Sequence, residues 1–593
     1  MFGAVECSGG LWFPTGSQSF LLEANVRVRK ILLTPLIAGA LVLAACGGQN
    51  QETGGEEPAG EASVAPVTSQ DINPKDRADL AQGGEIRLDV AEFSTTWNIF
   101  SVNGNNDDMA HAMLPASPIW FNVDAKGVAA PNPDYLVSAT EVSPSPTVIN
   151  FKLNPKAVWG DGSPIDVDDM IASWKACNGE NTKFQCATTQ GYDAITNIKA
   201  GADKFDATVT FKAAYPDWTS VFGGNPSVFK AESVKDPETF NDGWDEPNNE
   251  WLSGPFKVQS FNKTEKLLTL VPNEKWWGAK PLLDKITFRA ISPDAIAAAF
   301  VNNEVDHFDI GPDPDAFKRA SEVQDATIRK AAGPNFRHIT FNSKSEFLSD
   351  LAIRQAIVRS LDRTAIGASD LAGIDWPVAP LNNHVFLTNQ EGYVDIAKET
   401  ALDYDPEKAK ADLDAAGWKA GADGIREKDG KKLEIGFSQL VGVPVSENEA
   451  LQVQNQLKDV GIKVNIVNVP IAKFQDGSVL TEHEFDMIAF SWIGTPYPFT
   501  SIKQLYGTDQ ESNYAQLSLP ELDTLIEQID VEGDKAKRID LGNQAAKVIW
   551  ENVHNLPLYQ RPELKAVKSK LANFGAFGFS DKSFHWENVG YEK

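Results

Sequence analysis

The chain has 593 residues, of which 42% are hydrophobic, and a formal net charge of -28 at pH 7. This length and apolar content are sufficient for a folded protein of more than one domain and exclude a largely disordered chain. The acidic charge argues against nucleic-acid partners, because nucleic-acid binding depends on the neutralisation of phosphates by Lys and Arg. After residue 46 no apolar run reaches the roughly 20 residues that span a bilayer.

A short apolar segment near the N-terminus has the features of an export signal. Arg27, Arg29 and Lys30 precede the apolar run 31–45, and a basic region followed by a short hydrophobic region is typical of secretory signals. The run is too short for an ordinary transmembrane anchor, which is the alternative interpretation. Cys46 directly follows two alanines, and this arrangement resembles the lipobox of bacterial lipoproteins. The resemblance implies cleavage before Cys46, acylation of that cysteine and attachment to the outer face of a membrane.

The predicted signal peptide and linker together cover the first 83 residues. We predict that residues 1–45 are removed, and we interpret residues 1–25 as an extension upstream of the true start, because the basic residues come after them. Residues 47–80 are rich in Gly, Glu, Ala, Pro, Ser and Gln, a composition that cannot form a core. The acylated cysteine and a flexible linker are therefore predicted over 46–83.

The chain has four cysteines, and two of them are candidates for a disulfide. Cys7 lies before the predicted cleavage point, and Cys46 is the predicted acylation site. Cys177 and Cys186 lie close together in an exported protein, where disulfides persist. We predict a Cys177–Cys186 disulfide; the alternative is two free thiols. A metal site is disfavoured because no His lies near them in the sequence.

Strands and helices are mixed along the rest of the chain. Ile86, Leu88 and Val90 alternate with polar residues and predict the first ordered strand, starting near Gly84. Further strands are predicted at 149–153, 208–211 and 461–466, with a hairpin turn at Asp429-Gly430. Helices are predicted to begin at Asp166 or Asp168, after Ser349, and at Asp405 with a stop at Gly417, and to cover 522–529. This alternation predicts an α/β or α+β body with more than one lobe.

Several of these segments resemble a known family. The strand V-I-N-F-K-L at 148–153, the turn W-G-D-G-S-P at 159–164 and the helix D-D-M-I-A-S-W at 168–174 follow one another. They resemble the strand, "W-x-D-G-x-P" turn and "D-D-V-x-x-S-W" helix of the extracellular solute-binding proteins of ABC importers, peptide/nickel class (family 5). Further similar segments follow in the family's order at 254–256, 272–278, 304–306, 341–356, 405–418 and 485–492. The resemblance covers roughly 84–593.

The resemblance implies a fold and a division into lobes. The expected fold is α/β and bilobal, similar to periplasmic binding proteins (type II, cluster C), with an extra subdomain on the first lobe. Lobe I is expected at 84–332 and lobe II at 333–555, and residues 556–593 are expected to return to lobe I. The ligand is expected between the lobes, enclosed by a hinge motion.

Two segments are predicted to contact the ligand, because such a receptor needs aromatic walls and hydrogen-bonding groups. The first follows the first strand, and the second follows the "F-D-M" segment. The candidate ligand-binding residues are Trp97, Asn98, Asn103, Asn105, Asp107 and Asp108 in the first segment, Trp492, Gly494, Thr495 and Tyr497 in the second, and Asn342 in the matched "F-N" segment. The alternatives are core packing for the two Trp and a solvated loop for 103–108.

One departure from the family's pattern bears on the ligand. In peptide-binding relatives an Asp after the "W-x-G" pattern takes the ligand's α-ammonium group, whereas this chain has Thr495. A buried ammonium group needs a paired carboxylate, so the departure puts peptides with a free amino terminus in doubt. Asp107 or Asp108 is the alternative source of that carboxylate.

The sequence carries no enzyme motif. It has no nucleophile elbow, P-loop or HExxH sequence. His483-Glu484-Phe485-Asp486 is interpreted as a solvated loop, and the seven His are scattered, so neither a metal site nor a cofactor is predicted. Asp166, Asp168 and Asp169 lack the Gly and the distant Glu of a calcium loop.

The expected function is that of a lipid-anchored receptor on the extracytoplasmic face of the cell membrane. It is expected to act as a monomer, to bind an oligopeptide or similar solute, and to deliver it to the permease and ATPase of an ABC importer. The alternative is a lipoprotein of the same fold outside transport, acting in cell-envelope glycolipid assembly. An envelope hydrolase is disfavoured by the missing motifs.

Overall fold

The computed structural model describes residues 68–593 and the two-residue strand Val5–Glu6. The predicted signal peptide, the acylation site Cys46 and the linker as far as residue 67 otherwise lie outside the described residues. No helix among the described residues combines the length and the apolar character needed to cross a bilayer.

Strands occur along the whole of the described chain. They are β1 (Val5–Glu6), β2 (Glu85–Val90), β3 (Phe121–Val123), β4 (Ala129–Pro131), β5 (Leu136–Pro144), β6 (Thr147–Leu153), β7 (Ile195–Ala200), β8 (Asp206–Phe211), β9 (Phe256–Asn262), β10 (Leu267–Pro272), β11 (Lys285–Ala290), β12 (His307–Asp309), β13 (Ala326–Phe341), β14 (Lys419–Ala420), β15 (Arg426–Lys428), β16 (Lys431–Lys432), β17 (Glu434–Leu440), β18 (Lys463–Val469), β19 (Met487–Ile493), β20 (Asn555–Lys568), β21 (Leu571–Ala572) and β22 (Gly590–Tyr591).

The helices are concentrated in the second half of the chain. They are α1 (Asp107–Met113), α2 (Val167–Cys177), α3 (Pro237–Asp242), α4 (Pro293–Val301), α5 (Pro314–Ser321), α6 (Leu351–Ser360), α7 (Arg363–Asp370), α8 (Ile396–Thr400), α9 (Pro406–Ala415), α10 (Pro444–Asp459), α11 (Ile471–Gln475), α12 (Ser478–Thr481), α13 (Ile502–Tyr506), α14 (Pro520–Val531) and α15 (Lys535–Glu551).

Two large hydrophobic cores divide the fold, and we call the regions around them lobe I and lobe II. The lobe I core gathers apolar residues from Ile86–Phe288 and from Val567–Val589. It packs against two four-stranded sheets, in the orders β2-β11-β10-β9 and β5-β6-β8-β7. Buried residues alternate with more exposed ones in β6, and Ile149, Phe151 and Leu153 are buried. One face of this second sheet therefore packs on the core.

The lobe II core surrounds a mixed sheet of order β12-β20-β13-β19-β17-β18. β17 pairs in parallel with β18 and β19, whereas β13 pairs antiparallel with β19 and β20. Residues of β19 are almost all buried, and only Ile493 at its end is exposed. Apolar residues of α4, β12 and α5 also join this core, although they precede residue 333.

Two long strands connect the lobes. β13 and β20 pair along most of their lengths, with a break in register between Ala332 and Phe336. β20 contributes Leu558 to the lobe II core and Val567 to the lobe I core. The boundaries predicted at residues 333 and 556 fall within or beside these strands, and as boundaries they stay predictions.

The local elements follow from sequence signals. Asp166, not Asp168, caps α2: its side chain accepts from the Asp168 N–H, and Asp169 completes a capping box. Asp405 caps α9, and the chain leaves that helix at Gly417, whose φ of 90° favours glycine. The Asp429-Gly430 turn joins β15 to β16 as predicted. The structure also contains the predicted Cys177–Cys186 disulfide.

The predicted linker is too long at its C-terminal end. Asp71 forms a β-bridge with Ala576, and Leu80 forms one with Glu592. Leu80 is 3% exposed and packs in a small apolar cluster with residues of lobe I. Residues 71–80 are therefore part of the folded body. Their polar composition concealed this in the sequence, because their order depends on pairing with the distant C-terminal segment.

Candidate ligand cleft

The lobes meet through an ion pair that the sequence did not predict. Arg538 on α15 donates from both terminal nitrogens to the two carboxylate oxygens of Asp217, at 2.7 and 2.6 Å. The Arg538 Nε–H donates to the carbonyl of Ile529, and its guanidinium lies 4.3 Å from the centre of the Phe499 ring. Both charged side chains are largely buried, at 9% and 16% exposure. This pair ties lobe II to lobe I.

The segment that follows β19 also contacts lobe I. Tyr497 is half-buried beside Thr219, and desolvation raises the pKa of its phenol. The Gln190 side chain donates to the Thr500 carbonyl at 3.4 Å. These lobe I residues are far from residue 497 in sequence, so the segment after β19 lies at the boundary between the lobes, as the family resemblance implies.

A cavity of about 40 Å³ lies beside the same segment. Trp492, Gly494 and Thr495 line it, and so three of the predicted ligand residues share one site. Its other walls are mostly apolar and come from Phe336, 383–387, Gln390, Ile493, Pro498, 501–502 and 505–506. A cavity of this size holds a few waters or a small side chain at most, given that one water needs ~10–15 Å³.

The ring of Trp492 packs in the lobe II core. It is 4% exposed and stacks between His338 and Tyr514, with ring centres 5.7 and 5.8 Å away. Burial lowers the pKa of His338 well below its usual value, so the imidazole in this stack is neutral. Most of the Trp492 ring thus packs in the core, as the alternative interpretation states. The rest of the residue lines the cavity.

Thr495 is held in a tight turn. Its hydroxyl donates to the Tyr497 carbonyl at 3.0 Å and accepts from the Tyr497 N–H at 3.2 Å. Its own carbonyl accepts from the Gln390 side chain. Asp forms the same kind of side-chain turn, so the Thr495 backbone is compatible with the Asp that peptide-binding relatives carry here.

The predicted residues of the first segment lie in lobe I and are mostly committed to its packing. The Trp97 ring packs edge-on against Phe261 with centres 4.9 Å apart. Asn98 is fully buried, and its side chain donates to the Phe240 carbonyl and accepts from the Phe100 N–H. The side chain of Asn98 therefore uses both its donor and its acceptor inside lobe I, which leaves little capacity for a ligand.

The two aspartates of the first segment also have partners within the chain. Asp107 pairs with Lys582 and with His111, and these charges hold the pKa of Asp107 below its usual value against the effect of burial. Asp108 accepts from the backbone N–H groups of Ala91 and Glu92, and burial raises its pKa. Both carboxylates therefore already have partners within lobe I, and their role toward a ligand ammonium group stays a prediction.

The remaining candidates divide between surface and core. Asn103 and Asn105 are exposed. Asn342 is 7% exposed and donates to the carbonyls of His483 and Phe485, which fixes the loop that precedes β19. As ligand contacts, all the named residues stay predictions.

β19 has an unusual edge. Along one side it pairs with β13 from Met487 to Ile493, but along the other it pairs with β17 only at Met487 and Ile488. Beyond Ile488 the second side is open to another strand, and β1 pairs there with Ser491 and Trp492 in antiparallel orientation. The apolar run of β19 predicts a buried strand but does not reveal this edge, which depends on how far β17 extends.

Comparisons with known proteins agree with this architecture. The family model for bacterial extracellular solute-binding proteins, family 5 (middle region), matches residues 130–513. The oligopeptide-binding protein OppA of Mycobacterium tuberculosis is 35% identical over 557 residues, which cover 93% of this chain and 92% of OppA. The probable monoacyl phosphatidylinositol tetramannoside-binding protein LpqW of the same species is 25% identical over 383 residues, 60% of this chain and 59% of LpqW.

A solved structure supports the fold. The periplasmic EDTA-binding protein EppA superposes with a TM-score of 0.78 at 25% identity, covering 90% of this chain and 100% of EppA. The predicted bilobal fold and family are confirmed. The chain belongs to the bacterial extracellular solute-binding proteins of family 5, extracytoplasmic and non-enzymatic receptors that bind solutes for ABC importers.

Proposed function

We propose that this protein is a lipid-anchored, monomeric receptor that binds an oligopeptide between its lobes and delivers it to the permease and ATPase of an ABC importer. The observation that carries the proposal is the 35% identity to an oligopeptide-binding protein over 93% of the chain. The aligned region includes both lobes and the segments around the cleft. The similarity therefore extends beyond the general fold.

The open edge of β19 supports a peptide as the ligand. An extended peptide can add to a free strand edge through main-chain hydrogen bonds, which give affinity without dependence on side-chain identity. Pairing of β1 with Ser491 and Trp492 indicates that this edge accepts an extended segment. Removal of residues 1–45 leaves the edge to a ligand, and the small cavity lined by Gly494 and Thr495 takes one of its side chains.

Substitutions at Thr495 test the proposed peptide binding. Wild-type protein is expected to bind a hexapeptide and its N-acetylated form with similar affinity, because Thr495 offers no charge to an ammonium group. Thr495→Asp can still accept from the Tyr497 N–H, but it loses the bond to the Tyr497 carbonyl and adds a carboxylate. It is expected to prefer the free-amine peptide by about tenfold or more, equivalent to about 1.4 kcal/mol. Isothermal titration calorimetry of the mature protein measures both affinities.

Thr495→Asn is the matched control, since it preserves the turn chemistry without the charge. It should show no preference between the two peptides. The peptide proposal fails if neither peptide binds the wild type, whereas an equal loss in both Thr495 variants shows that the turn itself has been disturbed.

The lipid anchor is tested separately. Cys46→Ser removes the thiol that carries the lipid, so the variant is expected in the soluble fraction while the wild type sediments with membranes. Wild-type protein that is soluble, or variant protein that still sediments, contradicts the proposed anchor.

A glycolipid ligand is the second candidate. Thr495 in place of Asp and the 25% identity to LpqW favour it. The similarity to LpqW covers only 60% of this chain, compared with 93% for OppA, and we therefore place the peptide first.

A further inference from the structure

Three side chains of metal-binding type converge in lobe I. Asp134 lies in the loop before β5, and His585 and Glu587 lie in the C-terminal segment around the 3-10 turn Trp586–Asn588. One ligand atom from each residue lies within 4.8 Å of the other two. None of the three belongs to the predicted ligand-binding residues, so the cluster is separate from the proposed function.

The backbone at both sides of this cluster is fixed by hydrogen bonds. The Asp134 carbonyl accepts from the Trp277 indole at 2.6 Å and from the Asn154 side chain at 3.0 Å. The Glu587 carbonyl accepts from the Arg77 guanidinium and from the Leu282 N–H. Such anchoring holds the side chains near one geometry before any ligand arrives, a feature of sites with high metal affinity.

The charges in the cluster are poorly balanced. Glu587 is 5% exposed, and its carboxylate lies 2.9 Å from His585 Nδ1. Asp134 is half-buried beside them. A buried carboxylate needs a paired charge or a metal, and one partly exposed imidazole must here serve two carboxylates.

We propose that Asp134, His585 and Glu587 bind one divalent cation of the zinc class. One imidazole nitrogen and two carboxylate oxygens are ligands that zinc accepts, and they leave a fourth position for water. The His585 side chain is 36% exposed, so solvent water can reach the cluster. Zinc takes neutral imidazole and ionised carboxylate, so binding would replace the contact between His585 Nδ1 and the Glu587 carboxylate.

The site joins distant parts of the chain. Asp134 and the C-terminal turn come together only in folded lobe I, so a cation that holds all three residues binds the native state and not the unfolded chain. It therefore raises the melting temperature by mass action. Mixed nitrogen and oxygen donors favour Zn²⁺ over Mg²⁺, which prefers oxygen ligands in octahedral geometry.

Equilibrium dialysis of the mature protein with ZnCl₂ tests the proposal. We expect one Zn²⁺ per chain, a higher melting temperature and no effect of Mg²⁺. His585→Ala and Glu587→Gln should each weaken zinc binding by more than about 100-fold, because even changes beyond the ligands cost 10–100-fold. Glu587→Gln preserves the volume of the side chain, so it still tests the site if His585→Ala folds poorly.

His483→Asn is the control, because it removes a histidine from a lobe II loop and Asn tolerates its φ of 54°. It should bind zinc as the wild type does. Absence of stoichiometric zinc, or equal affinity in the two site variants and the wild type, overturns the proposal. Peptide affinity is measured on the same samples, and its presence or absence is independent of the zinc result.

Discussion

Removal of the Asp217 charge is expected to open the cleft. In this structure Asp217 and Arg538 form two charge-assisted hydrogen bonds between the lobes, at 2.7 and 2.6 Å. When the lobes separate, both groups become solvated, so the pair stabilises the closed form only. Asp217→Asn keeps the size of the side chain and one oxygen acceptor but loses the charge.

The magnitude follows from the burial and geometry of the pair. Hydrogen bonds to charged groups contribute about 1.5–3 kcal/mol each, and the remaining Asn acceptor preserves part of this. Side-chain exposures of 9% and 16% limit screening by solvent. A net loss of about 2 kcal/mol lowers the ratio of closed to open molecules about 30-fold, since each 1.4 kcal/mol is tenfold.

Small-angle X-ray scattering of the ligand-free mature protein measures the change. The radius of gyration of Asp217→Asn should exceed that of the wild type. Asp161→Asn is the control, because Asp161 pairs with Lys230 at 2.6 Å entirely within lobe I. Its scattering should match the wild type even if its stability falls. Equal radii of gyration for Asp217→Asn and wild type would refute the role of the ion pair in closure.

Two further predictions concern stability. Desolvation and the nearby Glu449 raise the pKa of Asp370 to about 9, so the fold favours the neutral carboxyl. Relative to Asp370→Asn, the wild type should lose up to about 1.4 kcal/mol of unfolding free energy per pH unit between pH 5 and 8 in urea titrations. A wild-type profile as flat as the variant's contradicts the buried neutral acid. The Cys177–Cys186 disulfide closes a loop with a sequence separation of 9, so replacing both by Ala should cost about 3 kcal/mol in urea unfolding, and no loss would show that the loop is ordered without the bond.

Local elements could be predicted from the sequence because their signals are local. Asp405 caps its helix, and Asp429-Gly430 forms its hairpin, through bonds to residues a few positions away. Segments whose order depends on distant partners could not be predicted in this way. Asp71 belongs to the folded body because it pairs with Ala576, and nothing near Asp71 in the sequence indicates that pairing.

The candidate site was predictable to a similar degree. The resemblance located the segment of Gly494 and Thr495, which does line a cavity beside the boundary of the lobes. Pattern alone could not separate a ligand-facing Asn from a structural one, and Asn98 proves to be fully buried with its side chain hydrogen-bonded inside lobe I. The Asp217–Arg538 pair joins residues more than 300 positions apart and carries no local signal.

Peptide binding between the lobes is the function proposed for this protein. Its most direct test is a thermal-shift screen of the mature protein against peptide mixtures, sugars and mannose-containing glycolipids, followed by calorimetry with the best ligand. We expect a higher melting temperature with peptides and one peptide bound per chain. A shift with a mannolipid and none with any peptide would contradict it and assign the protein to cell-envelope glycolipid assembly.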